Sequence, residues 1–173
     1  MLKVAVIGAR GRMGSTVCRA VREAPDMELV AGLEAGDDLA AELRNSDATH
    51  AVDFTVPDVT QANVLTALGA GVHVVVGTTG WTPEAYGQVA AQAQTAGRNA
   101  LIAPNFAISA VLAMKFAALA APYFESAEVI EMHPPNKLDA PSGTATATAA
   151  GIAAARQAAG LGPVPDATQS DAG

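Results

Sequence analysis

Aromatic side chains are scarce: Phe, Trp and Tyr make up 4% of the 173 positions. A core built on ring clusters is therefore excluded, and Ala, Val, Leu and Ile must fill it; a hydrophobic content of 50% is ample for that. Cations are scarce too, with 10 Lys and Arg against 17 Asp and Glu, a net charge of -7. That balance excludes nucleic acid as a general partner, because a phosphate backbone needs a basic face. It leaves room for a small anion in a local cationic pocket. The single cysteine, Cys18, has no partner for an internal disulfide, which points to a reducing, cytoplasmic location. Cys18 itself reads as a small buried hydrophobe. The apolar run after Lys3 stops at Gly8, too short for a membrane span and without a signal-type cleavage site, so no membrane is expected. No Walker A signature and no metal-ligand spacing stand out, so neither a nucleoside triphosphatase nor a metal site is expected.

What is present is alternation. Short apolar strands (Leu2 to Ile7, Glu28 to Leu33, His50 to Phe54, Val72 to Val76, Ala100 to Ala103) take turns with helical segments (Arg12 to Arg22, Asp58 to Leu68, Pro83 to Ala96, Ile108 to Ala120). This order implies an α/β fold, a Rossmann-like parallel sheet with helices on both faces. A further strand is expected at Ala127 to Met132. A proline-bearing loop and a helix over Thr144 to Ala159 follow, and after Gly160 the composition reads as a tail. The expected domains are 1–126, binding a dinucleotide, and 127–173, part of an α+β substrate domain.

Gly8, Gly11 and Gly14 follow the first strand and open the first helix. The spacing is G-x-x-G-x-x-G rather than G-x-G-x-x-G. The same logic applies: a tight turn, close backbone approach to a pyrophosphate, and helix packed on strand, with the phosphates at the helix N-terminus. Glu34 closes the second strand 20 residues beyond Gly14 (34 − 14 = 20), where an acid commonly holds the adenosine ribose. Arg10 and Arg12 lie in the turn and suit a 2′-phosphate. NADH is expected to serve and NADPH to be tolerated. Ligands of open parallel sheets bind beyond the carboxyl ends of strands. Gly77-Thr78-Thr79 and Ala103-Pro104-Asn105-Phe106 occupy such ends, suited to ribose and nicotinamide, with Asn105 toward a carboxamide and Phe106 toward the ring. Asp53-Phe54-Thr55 is a third such end.

Another segment carries acid chemistry. Glu131-Met132-His133 leads through Pro134 and Pro135 to Lys137, then to Ser142-Gly143-Thr144 at a helix start. The prolines forbid a helix, so only a loop can bring His133 and Lys137 together. Hydride addition to a C=C or C=N conjugated with an imine leaves an enamine-type anion that needs a proton. His133 is the natural donor. Lys137 offers positive charge or the proton itself. The free N–H groups behind Ser142 suit a carboxylate. Each feature also has a plainer reading: a structural turn, a solvated lysine, an ordinary helix cap. His50, His73, Trp81, Tyr86 and Met114 read as packing or strand-end residues.

Taken together, these residues resemble the dihydrodipicolinate reductase family of bacterial lysine and diaminopimelate biosynthesis, over essentially the whole chain. The segment from Glu131 to Ala145 is the most specific part of the resemblance, beside Gly8 to Gly14, Asp53 to Thr55, Gly77 to Gly80 and Ala103 to Phe106. The resemblance implies NADH- or NADPH-dependent reduction of 4-hydroxy-tetrahydrodipicolinate, a small dicarboxylate, by a homotetramer. By it, His133 and Lys137 are the proton donors, and Gly143 and Thr144 hold a substrate carboxylate. Gly8, Ala9, Arg10, Gly11, Arg12, Met13, Glu34, Gly77, Thr78, Thr79, Ala103, Pro104, Asn105 and Phe106 hold the cofactor.

Two departures accompany it. The family usually has a second His directly after the first; here Pro134 stands there, and weaker substrate binding is expected. Family members also continue with more strands, so this chain reads as an incomplete form. The alternatives are a dinucleotide-binding module without turnover and a different small-molecule dehydrogenase.

Overall fold

The computed structural model describes residues 1–134 and 140–162. Its contacts divide the chain into two compact units, Met1–Pro104 and Asn105–Gly173.

The first unit alternates strand and helix: β1 (Leu2–Ile7), α1 (Arg12–Glu23), β2 (Met27–Leu33), α2 (Leu39–Asn45), β3 (His50–Asp53), α3 (Pro57–Gly69), β4 (His73–Val76), α4 (Pro83–Ala96) and β5 (Ala100–Ile102). The strands form one parallel sheet in the order β2-β1-β3-β4-β5. The chain steps outward from β1 to β2, then returns across β1 to β3. The boundary between β1 and β3 is thus the switch point where the following loops diverge and leave a crevice. The period of two along β1 serves both faces. Val4 and Val6 pack with Cys18 and Val21 of α1, while Ala5 and Ile7 join Leu43, Val64, Leu68, Val74 and Val76 on the other side. Burial of each of these Val, Leu and Ile side chains contributes about 1.5–3 kcal/mol.

Local signals set the ends. Pro57 and Pro83 sit in the first turns of α3 and α4, and the Thr82 hydroxyl caps α4 by accepting from the Ala85 N–H at 3.2 Å. Gly97 ends α4 at φ 61°, in the left-handed region. Sequence patterning foresees β1 and α4 with their full ranges and the other strands and helices of this unit to within one or two residues. It misses α2, a helix of about two turns whose start is marked by Asp38 accepting from the Ala41 N–H at 3.0 Å.

The second unit holds α5 (Ile108–Ala120), a 3₁₀ turn at Ala121–Tyr123, and α6 (Gly143–Ala158). Helix α6 packs on α5. Arg156 of α6 is buried and donates to the carbonyls of Ala121 (3.2 Å), Phe124 (2.5 Å) and Glu125 (3.0 Å). One guanidinium thereby satisfies the carbonyls where the chain leaves the helical turn.

The strand expected at Ala127 to Met132 does not form. A strand exists through its ladder, and among the described residues none pairs with this run. Its apolar side chains stay exposed, Ile130 at 84% and Met132 at 92%. The elements of this unit among the described residues are helical. The expected 126/127 boundary divides the chain by what each part binds, which the compact units do not decide; α5 lies with α6 in the second of them.

Candidate active site

In the first unit, the three glycines do different jobs. Gly8 adopts φ +78°, and a Cβ there would come within 3.1 Å of the Phe54 carbonyl oxygen and the Thr55 methyl. Gly14, in the first turn of α1, is pressed onto the turn. A Cβ would lie 1.9 Å from the Gly8 carbonyl oxygen. The helix start can approach the strand end this closely only without a side chain.

Hydrogen bonds within the turn decide which donors remain. The Gly8 and Ala9 N–H groups bond the Leu33 carbonyl (2.8 and 3.3 Å), and the Gly11 N–H bonds the Gly8 carbonyl (3.0 Å). The Arg10 N–H donates to Glu34 Oε1 at 2.5 Å. The first-turn N–H groups of Arg12, Met13 and Gly14 have no intrahelical acceptor. Gly11 supplies no side-chain cap and the first turn carries no acid. An anion at this helix end meets free donors and the positive end of the dipole. The side chains of Arg10, Arg12 and Met13 are exposed around it.

Glu34 follows β2 directly and is half-buried. Its Oε1 is committed to the Arg10 N–H, and its second oxygen has no partner among the described residues. The acid is thus tied to the phosphate-type turn with one acceptor left over. A dinucleotide fits this arrangement: a cradle a Cβ would fill, free helix-end donors, and a carboxylate one strand away.

At the neighbouring strand end, Gly77 follows β4. A Cβ there would fall 1.9 Å from the Phe54 ring. Thr78 is buried and donates its hydroxyl to Asp53 Oδ1 at 3.1 Å, while the Trp81 indole N–H donates to the Thr78 carbonyl at 2.9 Å. Thr79 is half-buried. Ala103 and Pro104 follow β5, with the Ala103 N–H bonded to the Val76 carbonyl at 3.2 Å.

In the second unit, Asn105 bridges two candidate groups. Its amide donates to the Thr144 hydroxyl at 3.0 Å and its oxygen accepts from the Ala107 N–H at 2.8 Å. Phe106 is 47% exposed. Gly143 and Thr144 are the first two residues of α6, behind the cap Ser142. Ser142 is buried and accepts from the Ala145 N–H at 3.1 Å. Its own N–H donates to Glu131 Oε1 at 2.8 Å and its hydroxyl to Glu131 Oε2. The same Oε2 lies 3.7 Å from His133 Nδ1, an ion-pair distance rather than a hydrogen bond. His133 and the start of α6 are thereby gathered around one carboxylate. Lys137 lies outside the described residues.

Sequence reasoning missed two groups. The sequence marks Asp53 only as part of a strand end, yet it is fully buried and accepts from five donors. The sequence marks Glu131 only as a neighbour of His133. A signal for Asp53 existed: Thr60 and Asn63 are three apart on α3 and share the face that meets it. For Glu131 the pairing spans 11 residues of irregular chain and has no periodic signature.

Residues 2–106 match the family described as dihydrodipicolinate reductase, N-terminus, and residues 109–170 the family described as dihydrodipicolinate reductase, C-terminus. The chain is 61% identical over 170 residues to 4-hydroxy-tetrahydrodipicolinate reductase of Beutenbergia cavernae, an alignment covering 98% of this chain and 68% of that protein. Its fold is similar to a dipicolinate-bound dihydrodipicolinate reductase from Paenisporosarcina sp. TG-14, with a TM-score of 0.75 and 35% identity over 99% of this chain and 73% of that one. It is also similar to GenD2 from gentamicin A biosynthesis in complex with NAD, with a TM-score of 0.56 and 25% identity over 69% of this chain and 39% of that one. The glycine turn, its carboxylate and the His133–Ser142 segment stand in a chain that belongs to the dihydrodipicolinate reductase family.

Proposed function

We propose that this chain reduces 4-hydroxy-tetrahydrodipicolinate to tetrahydrodipicolinate with NADH or NADPH, in diaminopimelate and lysine biosynthesis. The family is one of NAD(P)H-dependent oxidoreductases, and its substrate class is a small dicarboxylate. The supporting observation is the donor set at the start of α6. Glu131 takes both hydrogens of Ser142 and so fixes the start of α6, where Gly143 and Thr144 are the first residues, and the same carboxylate lies at ion-pair distance from the His133 imidazole.

In this reading residues 1–126 serve the cofactor and residues 127–173 the substrate, a boundary drawn by function rather than by compactness. The free N–H groups of Arg12, Met13 and Gly14 hold the pyrophosphate, with Arg10 and Gly11 shaping the turn. Glu34 accepts from the adenosine ribose. Gly77, Thr78 and Thr79, with Ala103 to Phe106, border the nicotinamide half. The bound nicotinamide supplies a hydride. The hydroxyl of the substrate leaves as water, and one proton is consumed. His133 delivers that proton through its imidazole, with Lys137 supplying positive charge or a second proton. Gly143 and Thr144 hold a substrate carboxylate. Pro134 stands where the family usually has a second His, so this position offers the substrate neither an imidazole nor a backbone N–H.

The test is NADH titration together with substrate-dependent NADH oxidation, on protein whose mass in solution is measured by light scattering, where we expect a homotetramer. Saturable binding with substrate-dependent oxidation is the expected result. Binding without oxidation favours the module without turnover, and oxidation with a different carbonyl or imine substrate favours another dehydrogenase.

A further inference from the structure

We propose that Asp53 is a positioning residue for the nicotinamide half of the cofactor, because it fixes the direction of the hydroxyls at two strand ends. The inference rests on the cofactor reading above. Asp53 ends β3 at the switch point and has no exposed surface. Its Oδ1 accepts from the Thr55 N–H (3.0 Å), the Thr55 hydroxyl (2.8 Å), the Thr60 hydroxyl (3.2 Å) and the Thr78 hydroxyl (3.1 Å). Its Oδ2 accepts from the Asn63 amide at 3.0 Å. All five donors are neutral, and no cation pairs with Asp53 among the described residues. A buried carboxylate costs several kcal/mol in desolvation unless hydrogen bonds offset it. A scaffold needing only a packed strand end is served by Val or Thr here. The retained carboxylate has a consequence that neither provides.

That consequence is polarity. A carboxylate only accepts, and each threonine hydroxyl has a single hydrogen. Three hydroxyls that donate to Asp53 therefore offer nothing but lone pairs to anything else. Thr60 is buried on α3, and the Thr55 oxygen already lies 3.4 Å from the Asn63 amide. Thr78 stands in the segment expected to border ribose and nicotinamide. Its hydroxyl is acceptor-only toward a ligand, which selects donors such as a carboxamide NH₂ or a ribose hydroxyl and disfavours phosphate oxygens. The same carboxylate ties Thr55, which packs against Gly8, to Thr78 after β4, so the loops after β1, β3 and β4 share one anchor. The fixed geometry spares the cofactor the cost of ordering those loops.

The experiment compares NADH with AMP, which spans only the adenosine side, by fluorescence and calorimetric titration of the full chain. Asp53→Asn presents an amide to the Asn63 amide and frees the hydroxyl directions. Thr78→Val removes the reporting hydroxyl and leaves four donors in place. In both variants NADH affinity is expected to fall about tenfold or more, as for a lost hydrogen bond in a buried site, with AMP affinity unchanged. The double variant Asp53→Asn with Asn63→Asp, which returns a carboxylate to the cluster, is expected to recover part of the loss. Equal loss of NADH and AMP affinity, or no loss in either soluble variant, overturns the inference. A wild-type chain that binds no NADH overturns the cofactor reading and this inference with it.

Discussion

Ser142 gives both of its hydrogens to a single side chain, the carboxylate of Glu131: the N–H to Oε1 at 2.8 Å, the hydroxyl to Oε2. The Ser142 oxygen meanwhile accepts from the Ala145 N–H and caps α6. Glu131 thus fixes both the helix start and, through Oε2, the neighbourhood of His133.

Removing the cap and removing its anchor should differ. Ser142→Ala deletes the N-cap and should cost about 1 kcal/mol. Glu131→Ala also leaves a buried N–H and hydroxyl without acceptors, and should cost about 2–3 kcal/mol. Urea midpoints with unchanged slopes report both. Equal losses would show that Ser142 finds another acceptor.

Glu34 accepts from the Arg10 N–H with one oxygen, and its other oxygen has no partner among the described residues; the proposed partner is the adenosine ribose. Glu34→Ala should therefore weaken NADH by roughly tenfold. NADPH should lose less if its 2′-phosphate is held by Arg10 and Arg12, as proposed. Paired titrations decide it, and equal weakening removes Glu34 from the ribose.

Gly14 faces backbone, which cannot swing away as a long side chain would. Gly14→Ala should cost about 1–3 kcal/mol through displacement of α1 from the turn. A Tm equal to wild type would contradict this packing.

His50 and His73 stack at the opposite end of the strands, with ring centroids 5.1 Å apart. Burial first, and the neighbouring His73 second, hold the His50 pKa below its ordinary 6.5. The native state therefore resists a proton that the unfolded chain accepts. This contribution is fully present above pH 6.5 and is lost as pH falls through the folded pKa. His50→Gln should flatten the fall in urea midpoint between about pH 7.5 and 5.5. Identical pH slopes in variant and wild type would exclude His50 as a source.

The legible parts of this chain are those with a period or a punctuation mark. The continuous apolar run Val4 to Ile7, Pro83 behind Thr82, and glycines between a strand and a helix are local signals, and the structure forms β1, α4 and the turn accordingly. The run from Ala127 to Met132 has strand composition, but strand formation is decided by a partner elsewhere in the fold. Asp53 and Glu131 escaped for a related reason. Each acts through donors brought from distant positions (Thr78 for one, Ser142 for the other), and a sequence shows residue types without their convergence.

The central claim is that an NAD(P)H-dependent reduction is completed by a proton from His133. The most direct measurement is substrate-dependent NADH oxidation by wild type and His133→Ala, with NADH affinity determined in parallel. The account predicts turnover lower by roughly two to four orders of magnitude in the variant and the same NADH affinity. Undiminished turnover, or a loss matched by an equal loss of cofactor binding, would contradict it.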